Sequence, residues 1–152
     1  MPNVAPARAA ALQPPPLAGL TLKAYVDVLI PEDETPSGTA LGVDQQLLIV
    51  AKGKLAYQQL LELGLEWLNT RAQADYRGNF ADLDEEKKET IVRQAAAAPD
   101  NTRPRVFFER TRADAFYFYY SRPESWRGIA YYRGPPQPLG FMDYADAPRK
   151  PR

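Results

Sequence analysis

Five consecutive aromatic residues, from Phe116 to Tyr120, constrain the fold of this chain more than any other stretch. On a helix their side chains would point in all directions, and on a strand they would cover both faces. A domain of this size has too little interior to surround one element completely. Part of this element is therefore predicted to face another chain; the alternative is a tyrosine-rich core helix beneath a long covering loop.

The other aromatic residues concentrate at the same end of the chain. Of 17 aromatic residues, 12 lie between Phe107 and Tyr144, whereas a core alone would spread them over every element. Tyr and Trp suit a contact surface because each has a large apolar body and a polar tip. The predicted partner-binding residues are Phe118, Tyr119, Arg122, Trp126, Tyr131, Tyr132, Pro135, Pro136 and Phe141.

Composition excludes several classes of function. The chain has 152 residues, which fits one domain, and it contains neither histidine nor cysteine. Covalent haem attachment, Cys or His zinc sites, iron–sulfur ligation and Ser-His-Asp catalysis are therefore impossible. Nineteen basic and 19 acidic side chains balance, which argues against a nucleic-acid partner. No apolar run is long enough for a membrane span.

The helical spacing of apolar residues, together with the residues that begin and end helices, predicts an all-α fold of four to five helices. Thr21 is the predicted cap of a first helix that Pro31 ends, and Val43 begins a helical region that breaks near Gly53 and continues to about residue 76. In that region Gly64 lies on the apolar stripe, which predicts close approach of a packed neighbour. Leu63 and Trp67 lie off this stripe, which predicts burial on a second side.

Two further helices follow the same rules. Residues 82–85 form a capping pattern for a helix that ends before Pro99, and Pro104 opens the last long helix. Arg110 with Asp114 and Glu109 with Arg112 have the spacing of helical ion pairs. The predicted organisation is an extended N-terminal arm (residues 1–19), one helical domain (20–148) and a free tail (149–152). Within the domain, residues 122–148 form an irregular, Pro-rich, partner-binding segment.

Three neighbouring carboxylates, Glu32, Asp33 and Glu34, lie between the first two predicted helices. Their spacing does not match a calcium loop, which needs alternating ligands and a closing Glu. We interpret them as a solvated acidic turn. An enzyme that used them for acid–base work is a weaker alternative, because paired catalytic carboxylates need different environments.

Taken in order, these segments resemble the gluconate 2-dehydrogenase subunit 3 family over about residues 21–148. The motifs that carry the resemblance are Leu29-Ile30-Pro31-Glu32-Asp33-Glu34-Thr35-Pro36, Leu41-Gly42-Val43, Gly64-Leu65-Glu66-Trp67-Leu68, Phe80-Ala81-Asp82-Leu83-Asp84, Tyr119-Tyr120-Ser121-Arg122-Pro123-Glu124-Ser125-Trp126 and Tyr131-Tyr132-Arg133-Gly134-Pro135. No single motif is decisive, but the ordered set is specific.

The resemblance implies a non-catalytic small subunit without a cofactor of its own. In the family, a large FAD-containing subunit of the glucose-methanol-choline type oxidises a sugar or polyol, and a c-type cytochrome subunit often takes the electrons. The small subunit stabilises the flavin subunit and, in many members, carries a twin-arginine signal for export to the periplasm. No such signal precedes Thr21. We therefore expect the chain to reach the periplasm as part of the complex, and a cytoplasmic location stays the alternative.

A stand-alone carbohydrate-binding module is the main alternative from the residues themselves. In that reading, Trp126, Tyr131 and Tyr132 are exposed stacking platforms for sugar rings.

Overall fold

The computed structural model describes residues 16–127, and every structural statement below refers to that part of the chain. It consists of five helices and two short 3₁₀ turns, with no strand among the described residues: α1 (Pro16–Leu29), α2 (Val43–Lys52), α3 (Leu55–Tyr76), a 3₁₀ turn (Phe80–Asp82), α4 (Glu85–Ala97), α5 (Arg103–Tyr120) and a 3₁₀ turn (Pro123–Trp126). The predicted all-α class is confirmed. Helices α1, α3 and α5 each pack against all the other helices, so the core lies among these three.

Helix α1 begins earlier than the sequence pattern predicts. Residues 16–19 are helical, although the pattern assigned them to the arm. Thr21 is therefore not a cap but a buried interior residue whose hydroxyl donates to the Leu17 carbonyl oxygen at 2.8 Å. The same hydroxyl accepts from the Asn69 side chain at 2.9 Å. Asn69 in turn accepts from the Phe80 backbone N–H at 3.0 Å, so these polar groups join α1, α3 and the first 3₁₀ turn.

The contact between α3 and α5 depends on a glycine. The Phe107 ring lies directly on Gly64, where a Cβ would overlap the ring. The predicted close approach at this position is thereby confirmed. It explains why a residue that costs about 1 kcal/mol relative to alanine occurs in the middle of a helix. The predicted burial off the stripe is wrong for Leu63, which is exposed, while Trp67 is partly buried against the core.

Local capping defines α4 and its junction with α5. Asp84 caps α4 by accepting from the Lys87 backbone N–H at 2.9 Å. Hydrogen bonds from the Lys87 side chain and backbone hold the pKa of Asp84 below its usual range. At the other end of α4, Arg105 donates to the Ala96 carbonyl oxygen and pairs with Glu109 at 2.8 Å. This guanidinium thus ties the end of α4 to the start of α5.

The sequence-predicted helix boundaries hold at most other positions. The break between α2 and α3 falls at Gly53 and Lys54, and α4 ends before Pro99. Pro104 lies in the first turn of α5. Of the predicted ion pairs, the one between Arg110 and Asp114 forms at 2.9 Å, whereas Glu109 pairs with Arg105 instead of Arg112.

Candidate partner surface

Helix α5 divides its residues between a buried row and an exposed face. The buried row is Phe107, Thr111, Ala115 and Tyr119, spaced four residues apart. The Phe107 ring also packs on Tyr25 of α1, with ring centroids 4.9 Å apart. Since consecutive helical residues are rotated by about 100°, the intervening aromatic residues cannot join this row.

The exposed side of the last turns of α5 forms what we call the aromatic face: Phe116, Tyr117 and Tyr120. Their side chains are 38%, 71% and 56% exposed in the isolated chain. Phe116 and Tyr120 contact each other edge to face, with ring centroids 6.2 Å apart. Large apolar residues grouped on one surface mark an interaction site more strongly than scattered ones do. The five consecutive aromatic residues are thus split between core and surface.

The chain then turns over the end of α5 and satisfies its last carbonyl groups. The Ser121 hydroxyl donates to the Tyr117 carbonyl oxygen at 2.5 Å, and the Trp126 indole N–H donates to the Tyr120 carbonyl oxygen at 2.9 Å. The Tyr117 carbonyl oxygen also accepts from the Ser121 backbone N–H at 3.1 Å, whereas the Tyr120 carbonyl lies in the last turn, where carbonyl groups lack partners within the helix. Trp126 is therefore fixed, half-buried, beside the aromatic face, and Arg122 in the connecting turn is exposed.

Tyr119 faces the opposite direction and holds a loop. Its side chain is buried, and its hydroxyl donates to the Pro36 carbonyl oxygen at 2.6 Å while lying 2.9 Å from Thr35 Oγ1. This bond joins the end of α5 to the segment between α1 and α2, more than 80 residues away in sequence. Because its side chain is buried, Tyr119 offers almost no surface to a partner.

The loop between α1 and α2, residues 31–42, is held at several further points. Asp27 of α1 accepts from the Thr39 backbone N–H at 3.0 Å and from its hydroxyl at 2.8 Å. The Gly38 N–H donates to the Ile30 carbonyl oxygen at 2.9 Å. A Cβ on Gly38 would press against Val26, so the loop lies tightly on α1.

The three carboxylates of this loop are all exposed, which confirms the predicted solvated acidic turn. Asp33 accepts from the backbone N–H and hydroxyl of Thr35, both at 2.8 Å. These hydrogen bonds hold the pKa of Asp33 below its usual range, the backbone one most strongly. Asp33 is therefore ionised at neutral pH.

A groove separates this loop from α4. It has a volume of about 530 Å³, and its lining residues are Ala24, Asp27, Val28, Pro31, Glu32, Ser37, Glu85, Lys88 and Glu89. In residues 16–127 no three acidic side chains lie close enough to share a metal ion. Four carboxylates and one ammonium line the groove, so the charge of its lining is negative.

Two buried tyrosines have strongly raised pKa values. Burial raises the pKa of Tyr25, whose hydroxyl lies 2.8 Å from Thr111 Oγ1. Because the Thr111 hydroxyl donates to the Phe107 carbonyl oxygen at 2.7 Å, Tyr25 is the donor of the pair. Burial also raises the pKa of Tyr57, with a further contribution from Asp114. Both tyrosines stay protonated at neutral pH and act as structural groups.

The structure brings together only some of the predicted contact residues. Phe118, Arg122 and Trp126 lie at or near the surface around the end of α5. Tyr131, Tyr132, Pro135, Pro136 and Phe141 lie outside the described residues, as does most of the predicted partner-binding segment. The predicted contact set does not include Phe116, Tyr117 and Tyr120, which the structure shows to be exposed. Their offset from the four-residue spacing of the buried row is the signal that identifies them.

None of the described helices has the length and apolar character needed to cross a membrane. A protein-family model described as gluconate 2-dehydrogenase subunit 3 matches residues 18–134, which is more than half of the chain. Neither a curated protein nor a solved structure matches the chain significantly.

Proposed function

The chain belongs to the gluconate 2-dehydrogenase subunit 3 family, and from that membership we propose that it is the non-catalytic small subunit of a sugar or polyol dehydrogenase complex. In this role it binds and stabilises a large FAD-containing catalytic subunit. The proposal assigns FAD to the large subunit, no cofactor to this chain, and the complex to the periplasm, with a c-type cytochrome subunit as electron acceptor.

The aromatic face is the observation that carries this proposal. Tyr117 and Tyr120 are more than half exposed, although they belong to the same helix as the centre of the core. Exposed aromatic residues grouped on a rigid helix are typical of interface hot spots, because they bury large area at low entropic cost. We place the centre of the contact with the large subunit at this face, flanked by Trp126 and Arg122.

Co-expression of the tagged chain with the flavoprotein encoded beside it tests the proposal. We expect purification of the tag to recover a yellow complex with a flavin spectrum. We also expect the large subunit to be insoluble or poor in flavin when this chain is omitted. A colourless monomer that leaves the flavoprotein unaffected would contradict the proposal. Calorimetric titration with sugars would then test the carbohydrate-binding alternative.

A further inference from the structure

The groove between the 31–42 loop and α4 is lined by both apolar and carboxylate side chains. Its apolar lining residues are Ala24, Val28 and Pro31. Lys and Arg side chains match such a surface, because their aliphatic stems pack on apolar groups while the charged ends reach polar ones. We propose that this groove binds a Lys- or Arg-bearing segment of the partner subunit. The inference rests on the proposed function and adds the chemistry of the segment recognised.

The charge of the groove favours a cationic occupant. Four carboxylates line it against a single ammonium, Lys88. The Asp27 carboxylate already accepts a hydrogen bond from the Thr39 hydroxyl, and Glu89 already pairs with Arg93 at 2.6 Å. Within the described residues, Glu32 and Glu85 have no ion pair. Like charges that face one another across a groove repel, and a cation between them relieves that repulsion.

The net charge of the described residues also favours a cationic partner segment. Residues 16–127 carry 17 acidic and 14 basic side chains, a net charge of −3. Since the whole chain is neutral, this excess of acid lies within residues 16–127, and the groove and the acidic turn contribute several of its carboxylates. A positively charged partner segment would therefore be steered to this side of the molecule.

The groove is already formed in the isolated chain. Its loop wall is held to α1 by the bond between Asp27 and Thr39 and to α5 by the bond from Tyr119 to Pro36. A ligand that enters a rigid groove does not have to order the loop, and this lowers the entropic cost of binding.

The groove is also linked to the aromatic face. Tyr119, which holds the loop, precedes Tyr120 of the aromatic face, and their ring centroids are 5.2 Å apart. A partner that covers Tyr120 lies near the end of α5, and a segment that passes around this end would reach the loop that Tyr119 holds on the other side of the helix. The two sites then form one extended contact, with an apolar part on α5 and an electrostatic part on the loop and α4.

Fluorescence anisotropy with a labelled hexalysine peptide tests the groove in the chain alone. We expect the double variant Glu32→Gln, Glu85→Gln to weaken binding about fivefold at low salt, because two unpaired carboxylates are removed. The matched control is Glu62→Gln, Glu66→Gln, which removes two charges from the exposed side of α3 and should change the affinity less than twofold. Equal losses in both variants would mean non-specific attraction and would overturn the proposal.

A second variant distinguishes binding inside the groove from attraction by its charge alone. Ala24→Leu enlarges one of the lining side chains and leaves every charge in place, so we expect it to weaken peptide binding as well. Unchanged binding by this variant would show that the peptide does not enter the groove. Circular dichroism and thermal unfolding establish for each variant that the fold is intact.

Assembly with the flavoprotein tests the identity of the occupant. We expect Glu32→Gln, Glu85→Gln to lower the affinity of the complex and to reduce its dependence on salt, while the α3 control does neither. If the unaltered chain forms the complex and the groove variant forms it equally well, the inference fails while the proposed function stands. If the unaltered chain forms no complex, the proposed function itself fails.

Discussion

The two sides of α5 use the same kinds of side chain for opposite purposes. On the inner side, Phe107 is fully buried against Gly64 and Tyr25, and Tyr119 ends the row with a buried hydrogen bond to Pro36. On the outer side, Tyr117 is largely exposed, and Phe116 and Tyr120 contact each other. Aromatic content alone thus does not separate a core from a contact surface; rotation about the helix axis does.

This comparison assigns different energetic roles to the two sides. The inner side should determine whether the chain folds, since its rings fill space that no other group fills. The outer side should affect the fold little and association strongly, because its rings are already in water in the isolated chain. Substitutions matched by residue type and placed on the same helix can therefore break or sharpen the distinction.

The largest effect is expected at the centre of the inner side. Phe107→Ala should lower the free energy of unfolding by about 3–5 kcal/mol, because it removes a buried ring and leaves a cavity beside Gly64. Tyr117→Ala, the matched change on the outer side, should alter it by no more than about 0.5 kcal/mol. Guanidinium unfolding followed by circular dichroism measures both. Similar losses in the two variants would remove the distinction between the sides.

Association should show the reverse order. Phe116→Ala and Tyr120→Ala should each weaken binding to the flavoprotein by about 2 kcal/mol if they are hot-spot residues. Ile49→Ala and Leu55→Ala are suitable controls, because these residues are also large, apolar and exposed but lie on other helices. Affinity is measured from the dissociation of each co-expressed and purified complex on dilution. Losses in the control variants as large as those on α5 would place the interface elsewhere.

Gly64 offers a sharper test of the inner side. Gly64→Ala should destabilise the chain by about 1–3 kcal/mol, because the added methyl group overlaps the Phe107 ring and forces repacking. The loss is notable because alanine is otherwise the better helix former by about 1 kcal/mol. Combining the change with Phe107→Leu should recover part of the stability, since the smaller side chain can make room. A strictly additive double-mutant cycle would show that the two residues are not coupled.

The smallest effect concerns the hydroxyl groups of the inner side. Tyr25→Phe should cost about 1 kcal/mol through loss of the hydrogen bond to Thr111. Because the folded pKa of Tyr25 is raised, its contribution is fully present below the ordinary tyrosine pKa of about 10 and is lost as pH rises through the folded value. Unfolding curves at pH 8 and 11 should therefore differ less for Tyr25→Phe than for the parent chain. If stability falls from pH 8 to pH 11 by the same amount in Tyr25→Phe and in the parent chain, the loss at high pH comes from other groups, among them Tyr57.

Much of the helical framework could be read from the sequence, because the signals are local. Proline at positions 31, 99 and 104 and the Asp84 cap restrict the backbone of their immediate neighbours, whatever lies beyond. Gly64 belongs to the same group, since a glycine on an apolar helical stripe has few explanations other than close packing. The start of α1 was not read correctly, because Thr21 serves as well inside a helix as at its cap when a neighbouring helix supplies Asn69.

The candidate site depended on contacts between distant parts of the chain. Helical geometry sends five consecutive aromatic residues in all directions, so it follows from the sequence that they cannot all be buried. Which of them enter the core depends on contacts with other elements. Tyr119 is buried because Thr35 and Pro36 lie in the loop that folds back onto the end of α5, and Phe116, Tyr117 and Tyr120 are exposed because no described element covers that side.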